Sequence, residues 1–189
     1  MCDCADGMGK GGNGMSVLIT DRMVLRPFRE EDAESMFRNW TSDEEVARYC
    51  RWYRHKNLKS TEYLLHLYLK EAADGFAYRW CITEKGQDDS IGCVDVVDIR
   101  DHRHTAILGY VIARRFWGQG YMTEAVKTVI QELFRCGFRK VIGRHHIDNP
   151  ASGRVMEKCG MHFVGYEQEI HKIGSQELCD VKVYEITKP

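Results

Sequence analysis

The stretch that most constrains the fold is a passage from a predicted strand, through a glycine turn, into a strongly periodic helix. An apolar run at Ala106–Ala113 predicts the strand, Arg115–Met122 forms the turn, and Met122–Cys136 carries apolar residues at helical spacing. Glycines at Gly118 and Gly120 let the backbone turn with its amides directed outward. The first N–H groups of the following helix lack partners within it and carry a partial positive charge. Such a turn predicts a site for phosphate oxygens, although glycine turns without ligands are also common on protein surfaces.

The elements around that turn predict a mixed α/β domain. Upstream, strand patterns at Phe76–Thr83, Ser90–Arg100 and His104–Ala113 predict an antiparallel meander. Downstream, a strand at Lys140–Ile147 completes a strand, helix, strand unit, which normally joins parallel neighbours. The remaining predicted elements are a strand at Met23–Pro27, helices at Glu30–Trp40, Asp43–Tyr49 and Thr61–Ala73 with Ser60 as N-cap, a short helix from Asn149 to Gly160, and strands at Met161–Glu169 and Leu178–Thr187.

Length and charge limit the functions open to the chain. Its 189 residues suit one domain, and we expect the glycine-rich residues 1–16 to form a disordered tail ahead of a domain at 17–189. A net charge of −1 gives no sign of the clustered basic residues that bind nucleic acid. No apolar run approaches the ~20 residues that span a bilayer, and the tail lacks the apolar centre of a signal peptide, so we expect a cytoplasmic protein with no membrane partner. None of its eight cysteines forms a CxxC pair, which favours small core residues over a metal centre.

Two motifs stand on either side of the strand at Lys140–Ile147. The first is Arg115-x-x-Gly118-x-Gly120 with Tyr121-Met122-Thr123-Glu124-Ala125 after it, and the second is Asn149-Pro150-Ala151-Ser152 followed by Val155, Lys158 and Gly160-Met161. Together with Leu108-Gly109-Tyr110 they resemble the acetyl-CoA signatures of the GCN5-related N-acetyltransferases (GNAT), in the branch that includes the ribosomal-protein N-terminal acetyltransferases. The resemblance runs from about Ile19 to Ile186. It implies a single-domain α/β GNAT fold, whose mixed, mostly antiparallel central sheet is splayed between the fourth and fifth main strands and flanked by helices.

The resemblance also implies acetyl-CoA as cosubstrate. Backbone amides of the glycine turn would hold the pyrophosphate, with Arg115 as a nearby cation. Backbone at the end of the preceding strand would pair with the pantetheine arm like an added strand. Asn149 would cap the short helix and bond cofactor amides, with capping alone as the alternative. The implied cofactor residues are Val111, Ile112, Arg115, Gly118, Gln119, Gly120, Tyr121, Met122, Asn149 and Ser152.

Acetyl transfer requires a neutral amine, a stabilised oxyanion and a leaving thiolate, and it requires no covalent enzyme nucleophile. The resemblance implies that Ser152 donates a hydrogen bond or proton to the thiolate; an ordinary polar residue in a first helical turn is the alternative. Glu169 and His171 are the candidate general bases, and each can instead be a solvated residue at a strand end. Asp95 is a further candidate, although a surface carboxylate is the favoured interpretation of its position.

The predicted acceptor is a primary amine. An α-amine with a pKa of about 7.7 to 8.0 loses its proton more readily than a lysine at about 10.4, and the implied branch favours a protein N-terminus. A polyamine, amino acid or aminoglycoside acceptor stays open, as does a non-catalytic acyl-CoA-binding sensor, and we expect a monomer or homodimer. No metal site is expected, because His145 and His146 point to opposite faces of a strand, and His102 and His104 lack a third ligand at a telling spacing.

Overall fold

The computed structural model describes residues 15–75, 78–102 and 104–189. In chain order the elements are β1 (Leu18–Ile19), β2 (Met23–Arg26), α1 (Asp32–Met36), a π-helical turn at Phe37–Thr41, α2 (Glu44–Ala47), α3 (Leu58–Ala73), β3 (Arg79–Glu84), β4 (Gly92–Arg100), β5 (Thr105–Ile112), a 3₁₀ turn at Arg114–Phe116, α4 (Tyr121–Arg135), β6 (Lys140–His146), α5 (Pro150–Lys158), β7 (His162–Ile170) and β8 (Leu178–Thr187). Within these ranges, no helix has the length and apolar character to cross a membrane.

All eight strands belong to one mixed sheet, in the order β1-β2-β3-β4-β5-β6-β8-β7. The first five form an antiparallel meander, and its last three strands, β3 to β5, confirm the predicted meander. β6 lies parallel to β5, which is the arrangement that the crossover helix α4 requires, and β8 is antiparallel to both β6 and β7. The sheet confirms the predicted fold class.

Helices cover both faces of the sheet. On one face, Tyr110 of β5 hydrogen-bonds Ser152 of α5. On the other, Arg79 of β3 pairs with Asp95 of β4 and with Glu71 of α3. Asp95 lies opposite the residue before Tyr110 in the β4–β5 register, and successive strand residues point to opposite faces. Helices α5 and α3 are therefore separated by the sheet.

Helix α4 is held against the sheet by an apolar stripe at helical spacing. Ala125, Val126, Val129 and Leu133 are completely buried, where the helix packs on β4 and β5. Burying a valine or leucine side chain contributes about 1.5 to 3 kcal/mol. The stripe therefore fixes where the first turn of α4 lies relative to the end of β5.

Helix boundaries differ from prediction where a capping side chain was missed. Asn57 has extended backbone, and its Oδ1 accepts a hydrogen bond from the Ser60 N–H at 3.1 Å. Helix α3 therefore begins at Leu58, and the prediction of Ser60 as N-cap is wrong. The predicted helix at Glu30–Trp40 is divided into α1 and the π-helical turn that follows it.

At the N-terminal edge, the folded part reaches further back than the predicted boundary at residue 17. The Trp80 indole N–H donates to the Ser16 carbonyl at 3.0 Å, and the Arg79 N–H approaches Met15 Sδ at 3.1 Å. The rest of the predicted tail lies outside the described residues, as do the first two residues of the predicted strand at Phe76–Thr83. The short strand β1 was not predicted.

Strand β7 contains a β-bulge. Phe163 pairs with Tyr184 and Gly165 with Val183, which leaves Val164 as an extra residue. A bulge redirects the side chains that follow it. Beyond this one, acidic residues of β7 share a face with Arg144 of β6 and form ion pairs with it.

Candidate active site

The glycine turn between β5 and α4 presents main-chain donors without partners. Gly118 and Gly120 adopt φ of +73° and +82°, in the left-handed region that favours glycine. In the part of the chain that the structure describes, the N–H groups from Gly118 to Thr123 have no acceptor, whereas Trp117 and Glu124 N–H bond earlier carbonyls. A Cβ on Gly118 would meet no atom within 4 Å. The turn therefore offers the free amides and the open space that an anion needs.

Side chains at the turn are mostly engaged elsewhere, so the free polar groups there belong to the main chain. Gln119 Nε2 donates to the Arg115 carbonyl at 2.6 Å, and the Tyr121 hydroxyl donates to Glu84 at 3.3 Å. Met122 is 7% exposed and packs in the core. Their predicted contribution through backbone amides is compatible with this arrangement.

Two arginines lie beside the turn. Arg22, between β1 and β2, donates from Nη1 to the Gln119 carbonyl at 2.9 Å, and its guanidinium lies 4.1 Å from the centre of the Tyr121 ring. Its charge is balanced by Glu124, whose Oε2 lies 2.7 Å from Arg22 Nη2, so Arg22 mainly fixes the shape of the turn. Arg115, the predicted cation, donates from Nη1 to Asn39 Oδ1 at 3.0 Å and is otherwise exposed.

The sheet opens between β5 and β6, beside this turn. The two strands pair from Thr105 with Lys140 to Leu108 with Gly143, and their register pairs stop there. β5 continues alongside β4 to Ile112, while β6 continues alongside β8. The ends of β5 and β6 therefore diverge, and we call the space between them the gap.

Backbone groups at the end of β5 differ in where they point. The Ala113 N–H donates to the Ile91 carbonyl at 2.8 Å, toward β4. Because alternate residues direct their groups to opposite sides, Val111 also faces β4, whereas Tyr110 and Ile112 face the gap. The Ile112 carbonyl accepts from the Trp117 indole N–H at 2.9 Å. The gap edge is thus formed by Tyr110 and Ile112.

Ser152 reaches across the gap from α5. The Tyr110 hydroxyl lies 2.8 Å from Ser152 Oγ and 2.9 Å from the Ser152 carbonyl oxygen. Asn149 Oδ1 accepts from the Ser152 N–H at 3.4 Å, with Pro150 in the first turn, which confirms the predicted cap. Burial raises the pKa of Tyr110, so its hydroxyl remains a donor. The hydroxyl has a single proton: when Tyr110 donates it to the carbonyl oxygen, Ser152 Oγ donates to Tyr110, and when Tyr110 donates it to Oγ, the Ser152 proton is left free for a third atom in the gap.

Glu169 and His171, the candidate bases, lie on the other side of the sheet from α5. Arg144 Nη1 lies 3.9 Å from Glu169 Oε2 and Arg144 Nη2 lies 2.9 Å from Glu167 Oε2. The His171 ring lies 5.4 Å from that of His146. Burial, with the charge of the neighbouring lysine, lowers the pKa of His171 and favours its neutral form. Neither candidate hydrogen-bonds Ser152 within the described ranges, so only the gap connects them.

Asp95 is buried, so the interpretation of it as a surface carboxylate is wrong. The residue is 9% exposed, and Arg79 Nε lies 3.3 Å from its carboxylate. Burial raises its pKa. A Cβ on Gly109 would come within 2.8 Å of Asp95 Oδ1, so the carboxylate lies directly beside the strand that borders the gap.

Sequence reasoning missed two residues of the site. Tyr110 belongs to the Leu-Gly-Tyr segment, but its contact with Ser152, 42 residues later in the chain, depends on the position of α5 in the folded protein. Arg22 meets the turn from 97 residues away. An isolated arginine in a loop carries no local signal of that contact.

Known proteins share this architecture. The family model described as acetyltransferase (GNAT) domain matches residues 22–162. The uncharacterized N-acetyltransferase YoaA of Bacillus subtilis (strain 168) is 29% identical over 178 residues, which is 92% of this chain and 97% of that protein.

Solved structures agree in fold. A putative ribosomal-protein-serine acetyltransferase from Vibrio cholerae superposes with a TM-score of 0.81 at 19% identity, over 92% of this chain and 98% of that chain. The microcin C7 self-immunity acetyltransferase MccE, solved in complex with acetyl-CoA and AMP, gives a TM-score of 0.79 at 20% identity, over 89% and 93%.

Proposed function

Because the chain belongs to the acetyltransferase (GNAT) family, and so is an acetyl-CoA-dependent N-acetyltransferase, we propose that its acceptor is the α-amine of a protein N-terminus. The observation that carries the proposed site is the row of unpartnered N–H groups from Gly118 to Thr123, which ends beside the gap. Phosphates at the turn and an extended arm along the gap would bring a thioester toward Ser152. MccE, a protein of similar fold that was solved in complex with acetyl-CoA, supports acetyl-CoA as the cosubstrate.

The turn and the gap edge would divide the work of holding the cosubstrate. Backbone amides at the start of α4 would bind the pyrophosphate, where the helix dipole adds to their effect. Arg22 would support the turn through its hydrogen bond to the Gln119 carbonyl, and Arg115 would supply a positive charge beside the turn. The main chain of Tyr110 and Ile112 would pair with the amides of the pantetheine arm, and the free amide of Asn149 would meet them from α5.

Three groups of this chain would act in the reaction. Acetyl-CoA supplies the thioester, whose C–S bond breaks as the amine nitrogen forms the new C–N bond. Glu169 or His171 would take the proton that the amine gives up, directly or through water. Ser152 would donate a hydrogen bond to the departing sulfur, or a proton that water then returns to the Ser152 oxygen. Tyr110 would hold the Ser152 oxygen in place as a positioning residue.

An α-amine suits this site better than a lysine side chain. Its pKa, about 7.7 to 8.0, means that a base of ordinary strength can deprotonate it near neutral pH, whereas a lysine at about 10.4 needs much more help. The name of the Vibrio cholerae relative supports a ribosomal-protein acceptor.

A small-molecule amine is the second candidate. MccE, a protein of similar fold, was solved in complex with acetyl-CoA and AMP, which supports an acceptor other than a protein. An acceptor panel separates these candidates: thiol release from acetyl-CoA would be measured with ribosomal-protein N-terminal peptides, their N-acetylated counterparts, polyamines, amino acids and aminoglycosides. A preference for free α-amine peptides supports the proposal, and turnover confined to small amines contradicts it. Acetyl-CoA binding without turnover on any acceptor would indicate a sensor.

Single substitutions assign the roles. We expect Ser152→Ala to lower kcat by about 10²-fold or more, with acetyl-CoA affinity little changed, because only the leaving group loses its donor. Tyr110→Phe should lower kcat less and keep the same pH profile. Of Glu169→Gln and His171→Asn, the one that removes the base should flatten the acidic limb of the pH-rate profile. If neither changes that limb, the proton leaves by another route and both assignments fail.

A further inference from the structure

Three soft-metal donors meet beyond the candidate bases. His146 ends β6, His171 follows β7, and Cys179 is near the start of β8. One ligand atom from each lies within 4.8 Å of the other two, and all three side chains are half-buried. The meeting results from strand order, because β8 lies between β6 and β7 and brings Cys179 between the two histidines. We refer to His146, His171 and Cys179 as the His-His-Cys cluster.

We propose that the His-His-Cys cluster binds a thiophilic divalent cation, with Zn²⁺ as the best fit. Imidazole nitrogen and thiolate sulfur are both zinc ligands, and a site with three protein ligands leaves the fourth position for water. Tetrahedral Zn²⁺ needs its donors about 3.3 to 3.6 Å apart, so the side chains have to move inward by roughly 1 Å at most. On binding, the Cys179 thiol gives its proton to solvent and its sulfur becomes the ligand.

The surroundings of His146 favour such a role. Its Nδ1 accepts a hydrogen bond from the Asp148 main-chain N–H at 3.1 Å and lies 3.7 Å from Asp148 Oδ2. An ion bound through Nε2 would take the place of the Nε2 proton. The ring would then carry its proton on Nδ1 and exchange the bond from the Asp148 N–H for one that it donates to Oδ2, which is the outer-shell arrangement common to zinc-binding histidines. The Tyr49 ring, 5.2 Å away, limits rotation of the imidazole.

The segment that carries His171 is fixed by the next residue. Lys172 Nζ donates to the carbonyls of Ala47, Arg48, Cys50 and Trp52 at 2.6, 3.0, 2.7 and 3.3 Å. Those carbonyl dipoles offset the ammonium charge, which otherwise opposes a nearby cation. They also hold the start of the β7–β8 connection against the end of α2, so the position of His171 relative to β6 is restricted.

Metal at the cluster has a consequence for catalysis. The lone pair through which His171 could accept a proton would be used by the ion, so the metal would inhibit transfer if His171 is the base. This consequence rests on the proposed function, whereas metal binding itself does not.

Cobalt spectroscopy tests the binding on the full chain. Cys2→Ser and Cys4→Ser remove the thiols of the N-terminal tail, which lie outside the described residues, so that they cannot supply the signal. Titration with Co²⁺ should then give a thiolate-to-cobalt charge-transfer band that saturates at one equivalent and is displaced by Zn²⁺.

Matched variants locate the ion. In the same background, Cys179→Ser should abolish the band, and His146→Asn should weaken Co²⁺ binding by at least about 10-fold, since losing even an outer-shell partner costs 10 to 100-fold. Cys136→Ser removes an exposed thiol at the end of α4 and should change nothing. Absence of the band, or a band that survives Cys179→Ser, would overturn the proposal. Zn²⁺ inhibition that Cys179→Ser relieves would support it, and a cobalt site in a protein without transferase activity would leave the metal site standing while removing the proposed function.

Discussion

Replacing Gly118 by alanine separates the shape of the glycine turn from its use in binding. Gly118 has φ of +73°, and a Cβ there would meet no atom within 4 Å. Gly86, in the turn between β3 and β4, has φ of +78° and equally open surroundings. The two substitutions therefore impose the same backbone strain, and only one of them places a methyl group among the unpartnered amides.

The expected magnitudes follow from that comparison. An L-residue in the left-handed region costs roughly 1 to 2 kcal/mol, and each kcal/mol lowers Tm by about 2 to 4 °C in a chain of this size. Both variants should therefore melt about 2 to 8 °C lower. Only Gly118→Ala should displace the phosphates, and each lost hydrogen bond to a charged group is worth about 1.5 to 3 kcal/mol. Its acetyl-CoA affinity should fall by about 10 to 150-fold.

Scanning calorimetry measures the first quantity and isothermal titration with acetyl-CoA the second. Below the melting range of both variants, Gly86→Ala should bind acetyl-CoA like the unmodified chain. Equal affinity in the two variants, at equal loss of Tm, would refute the assignment of the phosphate site to the turn.

Other perturbations address the packing. Burial lowers the pKa of His145, so below about pH 6.5 the unfolded chain binds more protons than the folded one. The unfolding free energy therefore decreases as the pH is lowered. His145→Gln should reduce the difference in unfolding free energy between about pH 7.5 and about pH 5.5, measured by urea unfolding. Lys172→Met should lower the unfolding free energy by about 1 to 3 kcal/mol, because carbonyls lose their donor, whereas Lys158→Met, at an exposed position, should stay within about 0.5 kcal/mol. Gly92→Ala should cost about 1 to 3 kcal/mol or more, because its Cβ would lie 2.3 Å from the Val111 carbonyl oxygen.

Each of these has an opposing result. An unaltered pH dependence in His145→Gln would mean that other groups set the acid limit. Equal effects of the two lysine variants would show that the carbonyls at the end of α2 are satisfied by water once the ammonium is gone. A neutral Gly92→Ala would show that β4 and β5 can separate locally.

Local patterns predicted the elements that build the cofactor side. The periodic stripe of α4, the glycine turn and the Asn149 cap depend on residues close together in the chain, so spacing alone indicates them. The resemblance added the gap between β5 and β6, which no local pattern reports. The N-cap of α3 was predicted wrongly because Asn57 and Ser60 are both residue types that favour the N-cap position, and only the backbone conformation decides between them.

The acceptor side was harder to predict because it is assembled from distant strands. Asp95 alternates with apolar neighbours, and a period of two cannot tell which face of the sheet a helix will cover. The cluster of His146, His171 and Cys179 forms only because β8 lies between β6 and β7. A local pattern reveals only histidines that are close together in the chain, whereas the structure groups a residue of β6 and a residue of β8 with the residue that follows β7.

The extra residue at Val164 shows how chemistry can change without any change in amino-acid type. Without it, Glu167 and Glu169 would exchange faces with their neighbours, since one step of register reverses every side chain that follows. The insertion or deletion of one residue in β7 would thus change the side chains on the acceptor side, while the glycine turn proposed to bind acetyl-CoA stays the same. Alignments of such descendants that omit a gap at this position would match residues from opposite sides of the sheet.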